Sequence, residues 1–317
     1  MPPYEITSVA LKLLTEVSEK IGMAKASFLI DASPKLRKQN QIRTIHASLK
    51  IEGNTLSEEQ ITAIIDNKRV IGPEADIREV ENAIHTYQSI HKFKAHSLNS
   101  FLSAHKMLMQ GLKKSAGMFR TKGVGVVKGT KVQHLAPPAE RVPYLMKELF
   151  GYLKNQNELA LIKSCVFHYE LEFIHPFMDG NGRIGRLWQT VILLEKYPIF
   201  LHVPFENLIA EQQSDYYHVL SQCDKEGKST AFIEYMLGII NETLSSLIDS
   251  SKGIKLSQDQ RIDHFAKLNI DPFTRQDYME VFKNLSTASA SRDLKKGLEL
   301  GKFSKEGHKR NTIYHIQ

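Results

Sequence analysis

The stretch His175-Pro176-Phe177-Met178-Asp179-Gly180-Asn181-Gly182-Arg183-Ile184-Gly185-Arg186 gathers a proton acceptor, a hard oxygen ligand, three glycines and two guanidinium groups within twelve residues. Pro176 cannot extend a preceding helix by hydrogen bonding, and Gly180 and Gly182 permit backbone angles that other residues resist, so a tight loop is expected here. A loop of this kind opening into a helix offers free backbone N–H groups and the positive end of the helix dipole, which suit a phosphate. Arg183 and Arg186 lie three residues apart on one face of that helix and can grip two phosphates of one nucleotide. Asp179 suits Mg²⁺, which commonly reaches a protein through one or two carboxylates and the phosphates of its substrate. His175, with an ordinary pKa near neutrality, is the natural proton acceptor.

The elements that must position this loop are mainly helical. Apolar residues recur at three and four residue intervals, as in Val9, Leu11, Leu13, Leu14, Val17 and Ile21, which is the helical period. Helices are predicted near 5–30, 34–51, 57–67, 73–94, 97–113, 137–155, 159–174, 182–197, 204–224 and 229–251. Ser57-Glu58-Glu59-Gln60 has the form of a capping box. The exception is 123–135, where Val124, Val126 and Val132 alternate around Lys128-Gly129-Thr130, a pattern suited to a short β-hairpin. Ser250-Ser251-Lys252-Gly253 has linker composition, and beyond it helices near 257–268, 274–284 and 286–300 precede two strands about a basic turn. The expected division is an N-terminal helical region over 1–95, a core over 96–252 and a small domain over 253–317.

Bulk properties bound the reading loosely. The 317 residues are 42% hydrophobic and 24% charged, as in soluble globular proteins. No apolar run approaches a membrane span, and the start of the chain lacks the pattern of a secretory signal, so no membrane partner and a cytoplasmic location are expected. Cys165 and Cys223 read as reduced packing residues. The formal charge is +7; residues 255–317 hold 12 Lys and Arg against 8 Asp and Glu, so the tail is basic.

The loop resembles the Fic family, whose pattern His-Pro-Phe-x-Asp/Glu-Gly-Asn-Gly/Lys-Arg-x-x-Arg is matched at every fixed position. The resemblance covers roughly residues 30–225. It implies a mainly α fold, a Fic-type helical bundle with a β-hairpin flap; the tail from 253 separately resembles a small winged helix-turn-helix-like domain. The Fic resemblance further implies a protein adenylyltransferase that moves AMP from ATP to a Ser, Thr or Tyr hydroxyl. In that reading His175 deprotonates the attacking hydroxyl, Phe177 anchors the loop and Asp179 holds Mg²⁺. Gly180, Asn181 and Gly182 line an anion hole, Arg183 and Arg186 hold the β- and γ-phosphates, and Gly185 belongs to the nucleotide set. Gly182 stands where Doc-type kinases carry lysine, which favours AMP transfer; transfer of another nucleotide or of phosphocholine stays open.

Ser48-Leu49-Lys50-Ile51-Glu52-Gly53-Asn54 resembles the family's inhibitory motif. Ser48 and Glu52 are four apart, hence on one helix face. The resemblance implies that Glu52 pairs with Arg186 in the space the γ-phosphate needs. Residues 117–135 resemble the flap that docks a target segment by strand addition, with Arg120, Lys122 and His134 facing either the target or solvent. Gln212 and Tyr217 fall where the family often places residues beside the adenine or ribose, although Tyr216-Tyr217 at helical spacing also suits a core. His168 reads as structural. The tail, with Ser286–Lys296 as a recognition helix, suits DNA, and a docking or dimerisation module suits it too. The rival reading of the whole is a DNA-binding regulator with a nucleotide-sensing, non-catalytic Fic core.

Overall fold

Ala10, Leu14, Val17, Ile21 and Ala24 are buried along one stripe of the first helix, while Val9 and Leu11 are about half exposed. That three-and-four spacing builds most of the chain in this computed structural model, which describes residues 2–26, 34–128, 131–251, 256–268, 270–282, 285–307 and 312–317. The chain divides into two compact units, Met1–Asp249 and Ser250–Gln317.

The first unit carries α1 (Ser8–Ala26), α2 (Pro34–Ile51), α3 (Glu58–Ile65), α4 (Glu74–Gln88) and α5 (Leu98–Leu108). Next come the strands β1 (Gly125–Lys128) and β2 (Lys131–Leu135), then α6 (Val142–Leu153), α7 (Ala160–Ile174), α8 (Asn181–Leu194), α9 (Glu206–Glu211), α10 (Gln213–Glu226) and α11 (Thr230–Ser251). Ser57 caps α3 with both bonds of the capping box, its side chain accepting from the Gln60 N–H while the Gln60 side chain accepts from the Ser57 N–H.

α7 is buried on almost every side, from Leu161 through Ile174, as befits the central helix of a bundle. α8 packs beside it, and Trp188, Phe101, Phe150, Phe167 and Phe177 form one aromatic cluster with centroid separations of 5.1 to 6.3 Å. Each such ring contributes about 1.5–3 kcal/mol by burial. This cluster lies under the 175–180 loop, because Phe177 belongs to both.

β1 and β2 pair antiparallel from Gly125↔Leu135 to Lys128↔Lys131, with a register irregularity between Val126 and Val127. The expected turn residues Gly129 and Thr130, and the side chain of His134, lie outside the described residues. The single helix expected over 204–224 is two. Gln212 leaves the helical region at φ −104° and ψ 34° and separates α9 from α10, with no Gly or Pro to announce the break.

In the second unit α12 (Gln258–Lys267), α13 (Arg275–Val281) and α14 (Thr287–Glu299) precede β3 (Phe303–Glu306) and β4 (Ile313–Ile316). The strands pair antiparallel from Phe303↔Ile316 to Glu306↔Ile313, and Tyr314 also bridges to Phe273. Phe265, Phe273, Tyr278, Leu294 and Phe303 form its core. Asp293, read from sequence on the basic helix, turns inward and accepts twice from Arg261, at 2.6 and 3.0 Å. Among the described residues no helix is long and apolar enough to cross a membrane.

Candidate active site

α7 ends at His175, which takes the left-handed conformation, φ 48° and ψ 60°. A non-glycine residue there carries a modest strain, about 1 kcal/mol, so its surroundings must hold it. Arg120 does so: its Nε donates to the His175 carbonyl at 2.8 Å, its other nitrogens donate to the carbonyls of Lys122, Ile174 and Pro137, and its own N–H donates to the Pro176 carbonyl at 2.9 Å. Arg120 is only 3% exposed. Neither a target contact nor a solvated face therefore describes it. It ties the loop to the segments flanking the hairpin, whereas Lys122 is exposed.

Three further devices shape the loop. Phe177 is fully buried and stacks on the His105 ring at 3.5 Å. The His105 Nδ1 accepts from the Gly117 N–H at 2.9 Å, so its Nε2 carries the proton and donates to the Asp179 carbonyl at 3.0 Å. Burial pushes the His105 pKa down to about 4, which keeps the ring neutral for that task. Asn181, expected to line an anion hole, spends its side chain on the loop itself: Oδ1 accepts from the Phe177 N–H at 2.9 Å and Nδ2 donates to the Phe177 carbonyl at 3.0 Å. Gly180 adopts φ 82°, where a side chain is strained, and begins α8 with no side-chain cap. The first N–H groups of α8 thus have no side chain competing for them.

The charged groups form two sets, one about Arg186 and one about Arg183. Arg186 is fully buried; its Nε donates to Ser48 Oγ at 3.1 Å, and its Nη2 donates to the Ser48 carbonyl at 2.9 Å and to Glu52 Oε1 at 2.7 Å. Burial opposes the Arg186 charge, yet Glu52 and its neighbours more than offset this and raise the pKa. A Cβ on Gly182 would overlap the Glu52 carboxylate, so Glu52 lies directly on the first turn of α8. Arg183 donates to Glu79 of α4 and, at 2.7 Å, to Asp179. Lys113 pairs with the other Asp179 oxygen at 3.2 Å. Burial raises the Asp179 pKa, but Arg183 and Lys113 outweigh it and hold the group below its usual range. Asn54, two residues after Glu52, donates to Glu79 at 2.9 Å. Gln213 donates to the Ile51 carbonyl at 2.8 Å and so fixes the end of α2.

Glu52, His175, Asp179, Gly180, Asn181, Gly182, Arg186 and Tyr217 line a cavity of about 230 Å³, with Tyr216 and Glu172 beside them. Ser48 stands behind Arg186 and Arg183 behind Asp179, outside the lining. Gly185 faces α7, where a Cβ would crowd Glu172, His168 and Leu171; its small size serves helix packing. Gln212 is absent from the lining as well, and with it the contact beside the nucleotide that the resemblance implies. Tyr216 is 1% exposed and its hydroxyl bonds His168 Nε2 at 3.0 Å, while His168 Nδ1 bonds Gln189 at 2.6 Å. Burial drives the His168 pKa down to about 3, so this neutral pair is part of the floor beneath Arg186. Sequence reasoning missed His105, Glu79, Lys113 and Gln213, which are ordinary residue types far from the loop along the chain.

A solved structure of a Fic family protein from Desulfovibrio desulfuricans G20 is 38% identical, covers 100% of this chain and 98% of its own, and superposes with a TM-score of 0.77. The chain belongs to the Fic/DOC family. The Fic/DOC family profile itself matches residues 95–193, the stretch from α5 to the end of α8. Among curated relatives, protein adenylyltransferase fic-1 of Caenorhabditis elegans is 27% identical over 237 residues, 69% of this chain and 44% of its own length. A probable protein adenylyltransferase of Aquifex aeolicus is 37% identical over 95 residues, 27% of this chain and 29% of its own. The chain thus spans less than half the length of either.

The Fic loop also bears on what could be held here. Among the described residues no three His, Cys, Asp or Glu side chains cluster as a ready metal cage. Asp179 offers the cavity a carboxylate within the loop itself, which fits an ion that keeps its waters and takes most of its remaining ligands from phosphate oxygens.

Proposed function

We propose that this chain is a protein adenylyltransferase, transferring AMP from ATP to a Ser, Thr or Tyr hydroxyl of a target protein, and that Glu52 restrains it. The observation that carries the proposal is the Glu52–Arg186 pair laid over the N-terminal turn of α8, in one cavity with His175. Free N–H groups at a helix start, a buried guanidinium and a histidine at the rim are what attack on a polyphosphate requires.

In this mechanism His175 takes the proton of the target hydroxyl as its oxygen forms a bond to the α-phosphorus. The bond from that phosphorus to the bridging oxygen of the β-phosphate breaks, and pyrophosphate leaves. The α8 N-terminus and Arg186 bind the charge of the departing phosphates. Asp179 would hold Mg²⁺, which supplies charge neutralisation when bound. Lys113 and Arg183 orient the Asp179 carboxylate. The β1–β2 hairpin would receive the target as an added strand.

Restraint follows from Coulomb attraction and space. While Glu52 accepts from Arg186, the guanidinium is not available to a γ-phosphate, and the remaining cavity of about 230 Å³ lies below the roughly 300–1,000 Å³ of typical ligand sites.

The test is incorporation of label from α-labelled ATP with Mg²⁺ into the protein itself or lysate proteins. Glu52→Gly is expected to label strongly, the wild type weakly, and Glu52→Gly with His175→Ala not at all. A Glu52→Gly protein that folds and binds ATP but labels nothing overturns the enzymatic reading and leaves the nucleotide-sensing regulator.

A further inference from the structure

A second cavity, of about 390 Å³, opens in the first unit and shares no lining residue with the catalytic one. Glu206 forms part of its wall. This side chain is 0% exposed, and neither carboxyl oxygen has a hydrogen-bond partner among the described residues. A carboxyl placed so is strongly disfavoured if left charged and unpaired. Burial pushes its pKa up to about 8, against the pull of Arg186. Near neutral pH it is mainly the uncharged acid, with one donor and one acceptor side by side. Tyr87 of α4 is buried beside it, its hydroxyl pKa raised by burial.

The rest of the lining differs in character. Arg37, Gln41 and Thr44 lie on one face of α2 at spacings of four and three, with Lys38 adjacent. Arg37 is exposed, and Lys38 is paired with Asp66. Positive charge at Arg37, which lines the cavity, disfavours a cationic ligand. A neutral acid matches the adjacent donor and acceptor of an amide or amidine, and Arg37 matches an anionic group at the other end. The volume falls within the usual range of small-molecule sites, roughly 300–1,000 Å³.

We infer that this cavity is a binding site for a small anion built on an amide- or amidine-bearing ring, the chemistry of a nucleoside monophosphate, and that its occupant braces α2 against α4 and α9. The bracing matters because α2 runs on to Ser48 and ends beside Glu52. An occupant touching Arg37, Gln41 and Thr44 on one side and Tyr87 and Glu206 on the other bridges the restraining helix to the body of the unit.

The experiment is calorimetric titration of the full chain, without Mg²⁺, using AMP, GMP, CMP and UMP, the corresponding nucleosides and inorganic phosphate. At least one monophosphate is expected to bind and to slow hydrogen exchange across residues 37–51. Glu206→Met is expected to weaken it by about tenfold or more, while Glu206→Gln, which keeps an adjacent donor and acceptor, stays within about threefold. Arg37→Ala is expected to weaken the monophosphate and leave the nucleoside unchanged. The inference is overturned if no monophosphate binds at about millimolar concentration, if phosphate alone binds as tightly, or if Glu206→Met and Arg37→Ala both bind like wild type. The last result places any binding in the catalytic cavity. Should Glu206→Met fail to fold, the exposed Arg37→Ala decides.

Discussion

Glu52 and Arg186 meet at 2.7 Å across 134 residues of sequence, and Ser48, one turn before Glu52, holds the same guanidinium through both its hydroxyl and its carbonyl. Three bonds from one helix end thus fix Arg186. They are unequal. The Glu52 bond pairs two charges, the Ser48 hydroxyl bond is to a neutral oxygen, and the carbonyl bond survives any side-chain change. A charge-assisted bond contributes about 1.5–3 kcal/mol and an ordinary one about 1. Initial rates of AMP incorporation are therefore expected to rise ~10- to 100-fold in Glu52→Gly, less in Glu52→Gln, which keeps the shape, and only about fivefold in Ser48→Ala. A Ser48→Ala rate equal to that of Glu52→Gly would mean that helix position, and not the ion pair, sets the restraint.

Arg120 carries a different prediction, because its guanidinium reaches the carbonyls of Lys122, Pro137, Ile174 and His175 from a buried position. Removing it leaves those acceptors without a donor, at about 1–3 kcal/mol for each one that stays buried. Arg120→Ala is expected to lower the urea midpoint by an amount equivalent to about 3 kcal/mol and to abolish transfer even in the Glu52→Gly background. Arg120→Lys is expected to recover little, since one ammonium cannot span four carbonyls. Full activity in Arg120→Ala, Glu52→Gly would show that the loop holds its shape without this tie.

The contrast between Arg120 and Arg186 explains what the sequence discloses. Arg186 stands in a run of residues whose types and spacing have few other uses, and the segment holding Glu52 resembles a known companion motif, so the resemblance implies that Glu52 meets Arg186; the two bonds to Ser48 come from the fold. Arg120 stands in the stretch that resembles the flap, where its type suggests only a contact with target or solvent, and only the folded loop brings the carbonyls of 174 and 175 to it. His105 and Gln213 were hidden for the same reason, since buried bonds to backbone leave no periodic trace. Helix positions were legible because apolar spacing and caps such as Ser57 with Gln60 are local signals. The break at Gln212 was not, because neither Gly nor Pro marks it and what holds α10 apart is Gln213 reaching back to Ile51.

His105 makes the fold sensitive to acid. Its pKa falls from 6.5 to about 4 on burial. Above pH 6.5 both folded and unfolded forms are neutral, and the group has no effect. As pH falls toward 4 the unfolded chain takes up a proton that the folded one refuses, so stability declines by about 3 kcal/mol across that window and no further below it. His168, driven to about 3, acts in the same direction over a wider window. His105→Gln is expected to unfold more easily than wild type at pH 7.5 yet to lose less additional stability on transfer to pH 5, as read from urea midpoints at both values. Equal losses in the two proteins would show that His105 is protonated in the folded state.

The second unit offers a test of its own independence. Gly297 on α14 lies against the Phe303 ring of β3, and a Cβ there would overlap ring carbons. Neither partner can yield cheaply: Phe303 is 3% exposed and packs edge-on against Phe273 and Phe265, at 5.1 and 6.3 Å. Overpacking of this kind costs about 1–3 kcal/mol, a large share of what so small a unit has to lose. Gly297→Val is expected to strip hydrogen-exchange protection from α12, α13 and α14 while α7 and α8 keep theirs, and to leave ATP-dependent labelling by the Glu52→Gly form within about twofold. Loss of protection in α7 and α8 together with the tail would show that the two units unfold as one.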